Sequence, residues 1–154
     1  MLPRKSALGT SGLLHRSVLL AAFAAAALSG CSSRGSDLTD SDAIQREAEQ
    51  AKESIVLPPG AAFRPINVDA GGVYQPGQGT QFIQYQAICA WFGYWLDGVE
   101  NDKSDQVTSA RDAISVMRGW PSWEAGATYL DDVTARAELG DPSGLKEMIA
   151  NNCR

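Results

Sequence analysis

The chain has 154 residues, 13 basic, 18 acidic and a single histidine, with a formal charge of −5. A chain this acidic, with no Lys/Arg cluster, offers no electrostatic footprint for nucleic acid or for an anionic lipid surface. The acidic residues are also unevenly placed, since all of them follow Cys31.

Arg4, Lys5 and Arg16 make the start of the chain basic, and the uncharged run Val18 to Leu28 (VLLAAFAAAAL) follows. This is the order of an n-region and an h-region. The run is well short of the roughly 20 residues that span a bilayer, and polar SSRGSD follows it at once. The segment therefore reads as a secretion signal and not as a permanent membrane helix. It closes on Leu28-Ser29-Gly30-Cys31, which resembles the lipobox of bacterial lipoprotein precursors: an apolar residue, two small residues and an acceptor cysteine.

The resemblance covers residues 1–31 and implies a specific chemistry. The Cys31 thiol takes a diacylglyceryl group as a thioether, and Ser29 and Gly30 are small enough to admit the peptidase to the Gly30–Cys31 bond. Residues 1–30 are then a removed signal peptide, and Cys31 becomes the first residue of a protein anchored in the cell membrane or outer membrane on its extracytoplasmic side. One acyl chain binds membranes only marginally, whereas two chains hold stably. Ser32 in place of aspartate argues against inner-membrane retention where an outer membrane exists.

Removing residues 1–30 leaves 10 basic residues against 18 acidic ones, a charge of −8. The acyl chains, and not electrostatics, would hold such a chain to its membrane. His15 also departs, which excludes Ser-His-Asp and Cys-His catalysis and the usual zinc and copper sites. Carboxylate pairs, a lysine-assisted serine or a bound hard cation remain open to an enzyme. Nothing in the composition implies a cofactor.

Cys89 and Cys153 are the cysteines left beside Cys31. An even pair in an oxidising compartment reads as a disulfide, and no C-x-x-C spacing supports a redox role. By the chain-entropy model a loop of this size contributes roughly 4 kcal/mol.

Residues 31–41 are polar, as expected of a flexible tether. Residues 42–57 have helix-forming composition, a Ser41 or Asp42 cap and a thin stripe at Ile44, Ala48, Ala51 and Ile55, so they form either a docked helix or a solvated spacer. Residues 58–79 are rich in Pro and Gly. There RPINV and VYQ flank Asp69-Ala70-Gly71-Gly72, which fits a short hairpin or an extended segment lying over the helical domain equally well.

Residues 80–154 carry the expected fold, a mainly α domain of about four helices with one disulfide. A Thr80 cap opens a central helix with Phe82, Tyr85, Cys89, Phe92, Leu96 and Val99 on one face, broken by Gly98 and Asn101 to Ser104. Ser104 caps the next, with Val107, Ala110, Ile114 and Met117 inward. A third is predicted from Ser122 to about Leu139, with Gly140 at C′, and Asp141-Pro142 opens a fourth.

Three clusters are candidates for chemistry. The acidic run Asp97 to Asp105 invites Ca²⁺, yet an EF-hand loop counted from Asp97 would need glycine at Asp102, so no metal site is assigned. Asp131 and Asp132 invite a carboxylate pair, but adjacent helical residues diverge, and Asp132 can pair with Arg136. Of the four tryptophans, Trp123 reads as core, as does Phe92. Trp91 and Trp95 at the stripe margin and Trp120 in a turn are the candidates for an exposed recognition patch.

The expected function is a lipid-anchored, non-enzymatic binding or accessory module of the cell envelope, with an envelope protein or glycan as partner. A small histidine-free envelope enzyme acting on glycan or peptide through carboxylates is the alternative. Intact mass measurement tests the anchor: the wild type should carry diacylglycerol on Cys31, and Cys31→Ala should be soluble or uncleaved. A mature wild type without the lipid would sink this reading.

Overall fold

The computed structural model describes residues 38–153. The signal segment, Cys31 and most of the 31–41 tether lie outside the described residues. Within them the chain forms six helices, α1 (Ser41–Ser54), α2 (Gln78–Glu100), α3 (Ser104–Met117), α4 (Pro121–Glu124), α5 (Ala127–Glu138) and α6 (Ser143–Asn152). Among the described residues there is no named strand, and no helix is long and apolar enough to cross a membrane.

α1 is capped by Asp40, one residue before the nearer of the two expected caps. Asp40 is extended, and its carboxylate accepts the Ala43 N–H at 2.8 Å, which satisfies one of the orphan donors of the first turn. Its thin stripe is enough for docking: Ile44 and Ala48 are fully buried, and Ala48 and Ala51 cluster with Ile83 of α2. The helix is therefore part of the folded body and not a solvated spacer.

α2 begins before Thr80, because its N-terminus is capped from another helix. Gly77, at φ +86°, turns the chain into the helix. The Glu47 carboxylate of α1 then accepts the Gly77 N–H at 3.0 Å and the Gly79 N–H at 3.1 Å. A carboxylate there meets both the unpaired donors and the positive end of the helix dipole. Gly79 makes the contact sterically possible: a Cβ added to it would lie 2.2 Å from the Ile44 carbonyl oxygen.

α1, α3, α4 and α6 all pack on α2, while α5 packs on α4 and α6. The main core gathers Ile88, Phe92 and Trp95 of α2 with Ile114, Trp123, Val133 and Leu145. Gly98, expected to end α2, lies buried within it, and the helix runs on to Glu100. The reason is packing: a Cβ at Gly98 would meet the Val107 side chain of α3 at 3.0 Å. The reversal falls instead at Asn101 to Lys103, with Asp102 at φ +54°.

The single third helix predicted from Ser122 to Leu139 is two helices. Pro121 sits in the first turn of α4. Gly126, at φ −125° and ψ 18°, leaves helical geometry before α5. The break lets Trp123 turn inward, edge-on to Phe92 with ring centroids 6.1 Å apart. Gly140 has the left-handed backbone (φ +87°) expected after α5, and the Asp141 carboxylate accepts the Ser143 N–H at 3.0 Å as α6 begins.

The hairpin does not form. Asp69 and Gly72 close a turn, and the Asp69 N–H donates to the Tyr74 hydroxyl at 2.7 Å, but the flanks do not pair with each other. Tyr74 instead exchanges two backbone hydrogen bonds with Thr39. The rest of the segment, together with Ile55 to Leu57 ahead of it, lies over α2 as an extended strap. The Gln86 side chain accepts from the Arg64 N–H and donates to its carbonyl, at 2.8 and 3.2 Å, and Phe63 packs half-buried against the core.

The Cys89–Cys153 disulfide is present and joins α2 to the end of α6, with Cα atoms 5.5 Å apart across a sequence separation of 64.

Two glycines of α2 separate packing from propensity. Gly79→Ala should lose on the order of 3 kcal/mol, since backbone has to move. Gly93→Ala, where an added Cβ meets nothing within 4 Å, should gain ~1 kcal/mol. Denaturant unfolding of both variants checks this, and equal effects would refute the close α1–α2 approach.

Candidate functional site

The tryptophans expected to form a surface patch are not brought together at the surface. Trp91 is only 8% exposed, and its indole N–H donates to the Val56 carbonyl at 3.0 Å, so it pins the strap to α2. Its ring meets Tyr94 edge-on. Trp95 is 1% exposed and belongs to the core, where its indole nitrogen has no hydrogen-bond partner among the described residues. The helix margin that these residues occupy is covered by the strap and α3, which periodicity within α2 does not reveal. Trp120 is half-buried against the core at the start of α4. Trp91 and Trp95 are therefore structural, and removing such a ring costs about 3–5 kcal/mol.

The acidic run is explained without a cation. Asp97 accepts from Asn101 Nδ2 at 2.9 Å, Lys103 Nζ at 2.9 Å and Gln106 Nε2 at 2.7 Å. These donors offset the cost of a carboxylate near a helix C-terminus. The Lys103 hydrogen bond, followed by that of Gln106, lowers the pKa of Asp97 below its ordinary 3.8. Among the described residues, no group of three His, Cys, Asp or Glu side chains is placed to hold a metal ion.

Asp131 and Asp132 are likewise separated by their partners. Asp131 accepts the Trp123 indole N–H at 3.1 Å and lies 3.8 Å from Arg118, whereas Asp132 pairs with Arg136 on the same helix. They do not face each other across a cleft.

The concave feature lies elsewhere, where the α4–α5 break leaves the first turns of α2 uncovered. A groove of about 430 Å³ opens between α2, the α4–α5 junction and α6. Phe82, Leu130 and Met148 form its apolar part, with Leu130 and Met148 buried. Tyr85 and Tyr129 bring two phenol rings, the second 39% exposed. Gln78, Gln81 and Asn152 place amides on it. No charged side chain among the described residues lines it.

Two neighbouring depressions extend this groove. One, of about 450 Å³, shares Phe82 and Tyr85 with it and is completed by the strap at Arg64, Pro65 and Ile66. The other, of about 420 Å³, shares Gln78 and Gln81 and is walled by Leu38, Val73 and Tyr74.

Most polar groups of the central groove lack side-chain partners among the described residues. The Gln81 and Asn152 amides and the Tyr85 and Tyr129 hydroxyls make no hydrogen bond among the described residues. Ser122 Oγ is shielded from solvent and is also unpartnered there, while the Ser122 N–H donates to the buried Gln84 side chain at 3.4 Å. Burial raises the pKa of the Tyr85 phenol above its ordinary value, and the adjacent Tyr129 adds to the rise. The Tyr85 phenol is thus a neutral donor and acceptor at physiological pH.

Sequence reasoning placed Phe82 and Tyr85 on the inner stripe and did not single out Tyr129. The one available signal was Gly126, whose interruption of the third helix uncovers them. No known protein family, curated protein or solved structure matches the chain.

The Asp97 cluster carries a pH dependence. Because its pKa is lowered in the folded state, the stabilisation is present above the unfolded value near 3.8 and is lost as pH falls through the folded one. Acid titration of unfolding should therefore show a smaller loss below that pH for Asp97→Asn than for the wild type. Parallel curves would show that Asp97 is not coupled to folding.

Proposed function

We propose that the chain is a lipid-anchored cell-envelope protein, held to its membrane through acyl chains on Cys31, and that its helical body is a non-enzymatic binding module. The observation that carries the binding role is the uncharged aromatic groove at the start of α2. A concave, mainly apolar site with a few polar groups is the usual form of a ligand pocket, and about 430 Å³ lies within the usual range for one. The lipobox Leu28-Ser29-Gly30-Cys31 supports the anchor, and the charge of −8 after Cys31 leaves the lipid as the attachment. The alternative chemistry through carboxylates needs two that face each other, and Asp131 and Asp132 have separate partners.

Site-specific photocrosslinking of the full-length anchored chain in cells tests this role. A photoreactive residue at Tyr129 should capture a discrete adduct, protein or glycan, and Tyr85→Ala should reduce the capture. The same residue at Leu139, 88% exposed and outside the groove, should capture none. Equal labelling at both positions would remove the groove as the binding surface.

A further inference from the structure

The lining of the groove restricts its occupant further, given that it is a binding site as proposed above. Among the described residues its lining is uncharged, in a chain with 31 charged side chains. A phosphate or carboxylate entering it would lose water without gaining a countercharge, which is costly. A pure hydrocarbon fails for the opposite reason. It would cover the Gln81 and Asn152 amides and the Tyr85 and Tyr129 hydroxyls, none of which has a protein partner among the described residues. Each polar group left unpaired in this way weakens binding.

The fitting occupant is neutral, carries hydroxyl and amide groups, presents a flat face to a phenol ring, and has a small apolar group for the Phe82, Leu130 and Met148 surface. An acetamido sugar combines these features. Its ring lies flat on an aromatic face, its amide offers one donor and one acceptor to side-chain amides, and its methyl group is apolar. The two depressions that share Phe82 with Tyr85 and Gln78 with Gln81 continue the groove on both sides. Such a run matches successive units of a polymer better than a single free sugar. We infer that the groove binds a neutral stretch of the acetamido-sugar glycan of the cell wall, with Tyr129 as the stacking platform and Gln81 and Asn152 as the amide partners.

The test uses the full chain in detergent, with tri-N-acetylchitotriose, cellotriose and palmitate as soluble probes and protein-free wall glycan for co-sedimentation. Chitotriose should bind saturably and compete the chain off the wall glycan. Cellotriose, which lacks the acetamido group, should bind at least about tenfold more weakly. Tyr129→Ala should weaken chitotriose binding about tenfold or more, as for an aromatic anchor, with an unchanged unfolding midpoint. Equal binding of cellotriose, or binding of palmitate alone, overturns the inference while leaving a ligand-binding groove. Failure of chitotriose and wall glycan to bind, with a protein adduct still captured at Tyr129, overturns it and preserves the binding-module reading. No binding and no adduct removes both.

Discussion

Gln78–Glu100 is apolar around most of its circumference, and a helix of that kind in water has to be covered on nearly every side. Phe92 and Trp95 meet α3 and the α4–α6 region, Ile83 meets α1, and Trp91 meets the strap. The rest of the chain is arranged to provide that cover. A single layer of three short helices would leave one flank open, which is why a 14-residue helix with only three buried side chains still docks.

The cover depends on contacts in which backbone, and not side-chain bulk, sets the distance. Gly79 lets α1 approach the start of α2, and Gly98 does the same for α3 at the other end. At the first of these, Glu47 also supplies the cap that α2 lacks in its own sequence. The disulfide adds a third fixed point by tying α6 to the middle of α2. With both ends and the middle held, the first turns of α2 are placed rigidly against α4 to α6. A preorganised surface loses less on binding than one that must order itself.

The groove follows from the same constraint. At the α4–α5 break the cover is incomplete, so Phe82 and Tyr85 are only half-buried and Tyr129 stands partly free. The chain fills this gap with neutral polar groups and not with charges. The surface that results is apolar enough to exclude water from a ligand and polar enough to orient it.

Several features were determined by the sequence alone because they rest on local or pairwise rules. The mainly helical class, the α3 stripe, Gly140 as the stop of α5 and the Cys89–Cys153 pair follow from periodicity, backbone preference and cysteine count. Tertiary structure decided what depends on residues far apart in the chain. Glu47 and Gly77, 30 positions apart, move the start of α2, and no local cap signal at Thr80 can anticipate a carboxylate delivered by another helix. Gly98 resembles a stop locally but is a contact surface for α3. Trp91 and Trp95 sit on the margin of a stripe, and whether a margin is wet or buried depends on which segments fold over it. The groove could not be read from any single helix, because its lining is drawn from α2, α4, α5 and α6 together.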